Sequence, residues 1–142
     1  MQVFLPYADF EQSAKSLDMK RLGKQRVECL QLLNSITKIN NGEPIRGWKN
    51  HPCRKLWHDY SNALVVYGQV ICNEWKSRGY KDTCYEKISK FYNHSKPLKY
   101  PPFIGSEEFH RSHRSMLIQK NSDFYRPKFP GTPDNLEYIW PL

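Results

Sequence analysis

The sequence predicts an all-α, single-domain protein with an extended N-terminal arm and a proline- and aromatic-rich C-terminal tail that wraps the helices. Three observations lead there. The chain has 142 residues, about the size of one ordinary domain. Two long stretches repeat apolar residues at helical spacing. The prolines gather outside those stretches, where they cannot interrupt a helix. With 39% hydrophobic and 14% aromatic residues, the chain carries enough apolar surface to build a core and too much for intrinsic disorder.

Residues 1–6 read as an extended arm, because Pro6 has no N–H and pushes Leu5 out of the helical region. The clearest helix is predicted at residues 17–39, with Ser16 as its cap. Within it Leu17, Leu22, Val27, Leu30, Leu33 and Ile36 recur until Asn40-Asn41-Gly42 ends the run. Residues 41–52 read as a loop, punctuated by Pro44, Gly47 and Pro52. A second helical pattern then runs through Leu56, Trp57, Tyr60, Leu64, Tyr67, Val70, Ile71 and Trp75. It stops at Arg78-Gly79, a basic residue followed by glycine. A shorter helix is predicted at 83–92, and prolines at 97, 101 and 102 make 94–105 irregular. A last helix is predicted at 107–120, with Ser106 as cap and two acids in its first turn. The tail, 124–142, is too rich in Phe, Tyr and Trp to be a free chain end.

The 22 Lys and Arg against 14 Asp and Glu leave a net charge of +8, which favours a polyanionic partner: nucleic acid, nucleotides or an anionic membrane face. No run approaches the roughly 18 apolar residues of a membrane span, and the first residues resemble no signal peptide. The expectation is a cytoplasmic protein of a bacterial or phage-infected cell. The four cysteines, Cys29, Cys53, Cys72 and Cys84, form no CxxC pair. They read as reduced thiols, not as a disulfide framework or a zinc site.

Three constellations can carry chemistry. Lys20, Arg21, Lys24 and Arg26 crowd into two turns of the first long helix, where several phosphates could be met. Glu28 stands four residues beyond Lys24. It is either a helix-surface salt-bridge partner or the lone acid beside bound phosphates, placed for general acid or base work. The loop Gly47-Trp48-Lys49-Asn50-His51-Pro52 offers an aromatic plane, an amide and an imidazole to a base or phosphate. Alternatively, Trp48 plugs the core and Asn50 caps the next helix. In the last helix His110, His113 and Arg114 share a face that could grip an anion; no third ligand is evident beside the histidines for a metal.

The succession Leu17-Asp18-Met19-Lys20-Arg21-Leu22, Glu28, Gly47-Trp48-Lys49-Asn50-His51-Pro52 and Glu74-Trp75-Lys76-Ser77-Arg78-Gly79-Tyr80-Lys81-Asp82 resembles the pyrimidine-dimer DNA glycosylase family, over about residues 1–84. The resemblance implies a compact all-helical domain. It also implies an enzyme that cuts the glycosidic bond of a damaged pyrimidine through a Schiff base between an N-terminal α-amine and the sugar. Glu28 falls where the family places its essential glutamate, and the basic residues of that helix would hold the DNA backbone. Such chemistry needs no metal or cofactor. α-Amines as a class ionise near pH 8, well below lysine, so an unprotonated fraction is available at neutral pH. Gln2 is too bulky for methionine removal, so the amine would be that of Met1. The arm before Leu17 is several residues longer than in the phage enzyme, so whether it reaches Glu28 depends on how it folds. A rival reading is a non-catalytic, phage-encoded protein that sequesters a nucleotide in the same cationic pocket.

Overall fold

In a computed structural model, which describes residues 1–45, 47 and 49–142, the described residues form seven α-helices and no strand. α1 spans Phe10–Ser16 and α2 spans Met19–Asn40; α3, Pro52–Trp57, and α4, Ser61–Ser77, follow. α5 is Tyr85–Ser89, α6 is Glu107–Lys120 and α7 is Ser122–Tyr125. No helix among the described residues is long and apolar enough to cross a membrane.

Several boundaries differ from the sequence-based expectation, each for a local reason. α1 was unforeseen: it is only 7 residues long, too short to display a period, and Asp9 caps it by accepting the Glu11 N–H. Ser16 ends α1, its hydroxyl donating to the Ser13 carbonyl, so Asp18 takes the N-cap position of α2. The second long pattern splits into α3 and α4 because Tyr60 leaves helical geometry (φ −126°, ψ 39°). Apolar spacing continues across that turn, which hides the break. α5 is shorter than residues 83–92, and α7 forms within the tail, where Asn121 accepts the Phe124 N–H. α6 has the predicted limits.

The core is built on the packing of α2 against α4. Gly68 makes it close, since a Cβ there would stand 2.7 Å from Cys29 Sγ. Leu22, Cys29, Leu32, Leu33 and Ile36 of α2 meet Leu64, Tyr67, Ile71 and Cys72 of α4 in one buried cluster with Trp57, Phe103 and Phe109. All four cysteines are free and buried.

The arm runs through this core as an extended segment with no strand beside it, and Val3, Phe4 and Leu5 are buried. Its backbone polar groups therefore need partners, and side chains supply them. Gln25 Nε2 donates to the Gln2 carbonyl (2.7 Å), while Gln25 Oε1 accepts the Phe4 N–H (3.0 Å). One side-chain amide thus pairs with residues i and i+2 as a neighbouring strand would. The Tyr67 hydroxyl lies 2.8 Å from the Phe4 carbonyl and 2.7 Å from Gln25 Oε1, its single proton serving one oxygen at a time. From α6, His113 Nδ1 accepts the Leu5 N–H (2.9 Å), His110 Nδ1 donates to the Leu5 carbonyl (2.9 Å) and Arg114 donates to the Pro6 carbonyl (2.8 Å). His110 Nε2 accepts the Gly105 N–H (2.9 Å), which fixes its proton on Nδ1.

Two outcomes follow from this clamp. Gln25→Leu orphans the Gln2 carbonyl and the Phe4 N–H and is expected to cost about 2–4 kcal/mol in urea denaturation. Burial, then the neighbouring His110, push His113 down from 6.5 to about 3, and burial lowers His110 as well. The unfolded chain then binds protons that the native state refuses. Stability is complete above pH 6.5 and is expected to fall as pH drops from there toward 3, with a shallower slope in His113→Asn, which keeps an acceptor for Leu5 but does not titrate.

Candidate active site

A cleft of about 240 Å³ opens where the first residues of the arm cross the N-terminal half of α2. α2 contributes Lys20, Arg21, Lys24, Gln25 and Glu28; the arm contributes Met1, Gln2 and Phe4. Lys120, at the end of α6, and Tyr138, in the tail, close the other side. Met1 and Glu28 thus line one cavity. α1 takes up part of the chain between the arm and α2, and Met1 lines the cavity that Glu28 lines.

The electrostatics is strongly cationic with one acid. The ion pairs among the described residues are Arg21–Asp18, Arg26–Asp82, Arg78–Glu74, Arg114–Glu107 and Arg126–Asp134. Glu28, Lys20 and Lys24 therefore form none, and the helix-surface salt bridge from Lys24 to Glu28 is not made. Among the described residues the carboxylate receives one hydrogen bond, a long one of 3.5 Å from Gln25 Nε2 to Glu28 Oε2. The amide that clamps the arm is also the group beside the acid.

His51 stands near the same charges. Its Nδ1 accepts the Cys53 N–H (3.0 Å) and caps α3, which leaves Nε2–H as its free donor. Burial lowers its pKa below the usual imidazole value; the positive Met1 amine adds to that, and Glu28 opposes it. His51 takes the capping role that the sequence assigned to Asn50, which is exposed. Trp48 lies outside the described residues.

The remaining basic residues of the sequence prediction do not reach the cleft. Arg26 pairs with Asp82 at 2.6 Å and sits 4.5 Å from the centroid of Trp75, whose other neighbour is the stacked Tyr80 ring (4.3 Å). Asp82 in turn accepts the N–H groups of Cys84 and Tyr85 and so starts α5. Arg26 is a fastener between α2 and the chain after α4. His110, His113 and Arg114 grip the arm backbone in place of an anion, and a fully buried His113 presents no atom to a phosphate.

Five cleft residues escaped the sequence reading: Gln2, Phe4, Gln25, Lys120 and Tyr138. Gln25 left a signal, being a polar residue on the face that Leu22, Cys29 and Leu32 bury. Lys120 and Tyr138 left none, since only the tertiary fold brings them to α2.

The family described as pyrimidine dimer DNA glycosylase matches residues 1–87, more than half of the 142-residue chain. Neither the curated proteins nor the solved structures gave a match. The matched region holds the arm, α1 to α4 and every cleft residue except Lys120 and Tyr138. On that match the chain belongs to the pyrimidine dimer DNA glycosylase family.

Proposed function

We propose that this protein is a DNA glycosylase with an associated abasic-site lyase activity on damaged or modified pyrimidines, with the Met1 α-amine as nucleophile and Glu28 as acid/base. The observation that carries the reading is the shared cleft: Met1 and Glu28, a carboxylate with no ion pair among the described residues, line the same cavity.

In this mechanism the amine lone pair bonds to the sugar C1′ while the C1′–N1 bond breaks and its electron pair leaves with the base. Glu28 then passes a proton from the attached nitrogen to the ring oxygen O4′ as the C1′–O4′ bond breaks, and the carboxylate stabilises the positive open-chain iminium left at C1′. Glu28 then accepts a proton from C2′, and the 3′ phosphate departs by elimination. Lys20 and Lys24, exposed and without ion pairs among the described residues, hold the flanking phosphates together with Arg21. His51, through its Nε2–H and near the Met1 and Glu28 charges, is a further donor to the DNA, and Asn50 and Trp48 keep the base- or phosphate-binding role that their residue types suggest. Arg26, His110, His113 and Arg114 serve the site as positioning residues, through α5 and the arm.

Two outcomes check the reading. Borohydride added to the protein with an abasic or dimer-containing duplex is expected to trap a covalent adduct. Glu28→Gln and a chain whose amine is blocked by an extra N-terminal segment are expected to lose it. Binding of nucleotides without any adduct would instead support a sequestering binder. The double substitution Lys20→Ala/Lys24→Ala is expected to flatten the slope of log K against log salt for duplex DNA by about 2, one unit per lost phosphate contact. Unchanged slopes would remove both lysines from the interface.

A further inference from the structure

The cleft holds more hydrogen-bond donors than the protein itself satisfies. The Tyr138 hydroxyl is buried and has no partner among the described residues. Gln2 lines the same cleft, and its Nε2 is likewise buried without a partner among the described residues. The Gln2 amide orientation is fixed, because its Oε1 accepts the Val3 N–H at 2.9 Å and a flipped amide would set donor against donor. Buried donors left unpaired are costly and uncommon, and two at one cleft mark a place where an acceptor belongs.

Tyr138 is held there firmly. The tail backbone on either side is fastened to α6: Ser115 Oγ accepts the Leu136 N–H (3.0 Å), Gln119 Nε2 donates to the Leu136 carbonyl (3.0 Å), and Ser112 Oγ accepts the Ile139 N–H (3.4 Å). The ring packs edge-on against His113 and Trp140, with centroids 5.3 and 5.6 Å away. Burial raises the phenol pKa, so the hydroxyl keeps its proton and acts as a donor at neutral pH.

We propose that Tyr138 donates a hydrogen bond to a carbonyl oxygen of the pyrimidine base bound in the cleft and stabilises that base as it departs. The inference rests on the glycosylase reading for its chemistry. Phosphates are met by Lys20, Arg21, Lys24 and Lys120, whereas a neutral, desolvated donor on a cleft that Phe4 also lines suits a base oxygen that gains only partial charge. As the C1′–N1 bond breaks, its electron pair goes to the base and spreads onto the carbonyl. The Tyr138 hydroxyl keeps its proton throughout.

Tyr138→Phe removes only the donor. It is expected to leave the thermal midpoint unchanged or slightly raised, since no protein hydrogen bond is lost. On an abasic duplex, where no base leaves, borohydride trapping is expected at the wild-type rate. On a duplex carrying a pyrimidine dimer, single-turnover adduct formation is expected to slow by about 10–100-fold. Equal rates on the dimer substrate, or equal losses on both substrates with a lowered midpoint, overturn the proposal and leave the glycosylase reading intact. If the wild type traps no adduct on either substrate, the glycosylase reading fails instead. Calorimetry with thymidine monophosphate then decides the role of Tyr138: weaker binding by the variant upholds the base contact, and equal or undetectable binding overturns it.

Discussion

A buried stretch of extended chain with no sheet to join is the constraint on which the rest of this structure depends. The arm's N–H and C=O groups lie where water cannot serve them, and an unpaired buried backbone group costs as much as a lost hydrogen bond. Gln25 meets the problem by imitating a strand with its side-chain amide. Tyr67, His110, His113 and Arg114 complete the satisfaction from α4 and α6. Residues far apart in sequence are thereby committed to one geometry, and the consequence is local: the chain's first residue is delivered to the side of α2 that carries Glu28.

Under the proposed mechanism, stability and function are coupled through this clamp. The same Gln25 amide touches the Gln2 carbonyl, the Phe4 N–H and the edge of the Glu28 carboxylate. A loose arm would leave the terminal amine to sample many positions, and in the proposed mechanism the orientation of that nucleophile supplies a large part of the barrier reduction. The two histidines hold neutral, defined tautomers for the same purpose: one accepts from Leu5, the other donates to it. What reads in the sequence as a cationic His-Arg cluster is, in the fold, a backbone receptor.

Much of this was legible in the sequence. Its helical periods located α2, α4 and α6, and Glu28 stood out as the one acid closing a basic strip. The resemblance to the glycosylase family, now supported by a match to residues 1–87, was readable from the same motifs. Three things were not. Short α1 and the break at Tyr60 leave no mark on apolar spacing. Charge type does not tell a phosphate ligand from a structural fastener: Arg26 is held by Asp82, 56 residues away, and Arg114 by Glu107 and Pro6. Tyr138 and Lys120 come to the cleft from beyond the matched region, and no spacing rule links them to α2.

The central claim, that the arm is clamped as tightly as the helices it crosses, is tested most directly by amide hydrogen exchange resolved at Phe4 and Leu5. The account predicts that these two N–H groups exchange only through global unfolding, with the same opening free energy as the core amides of α4 around Leu64 and Tyr67. Exchange through a low-energy local opening, as at a fraying chain end, would contradict it.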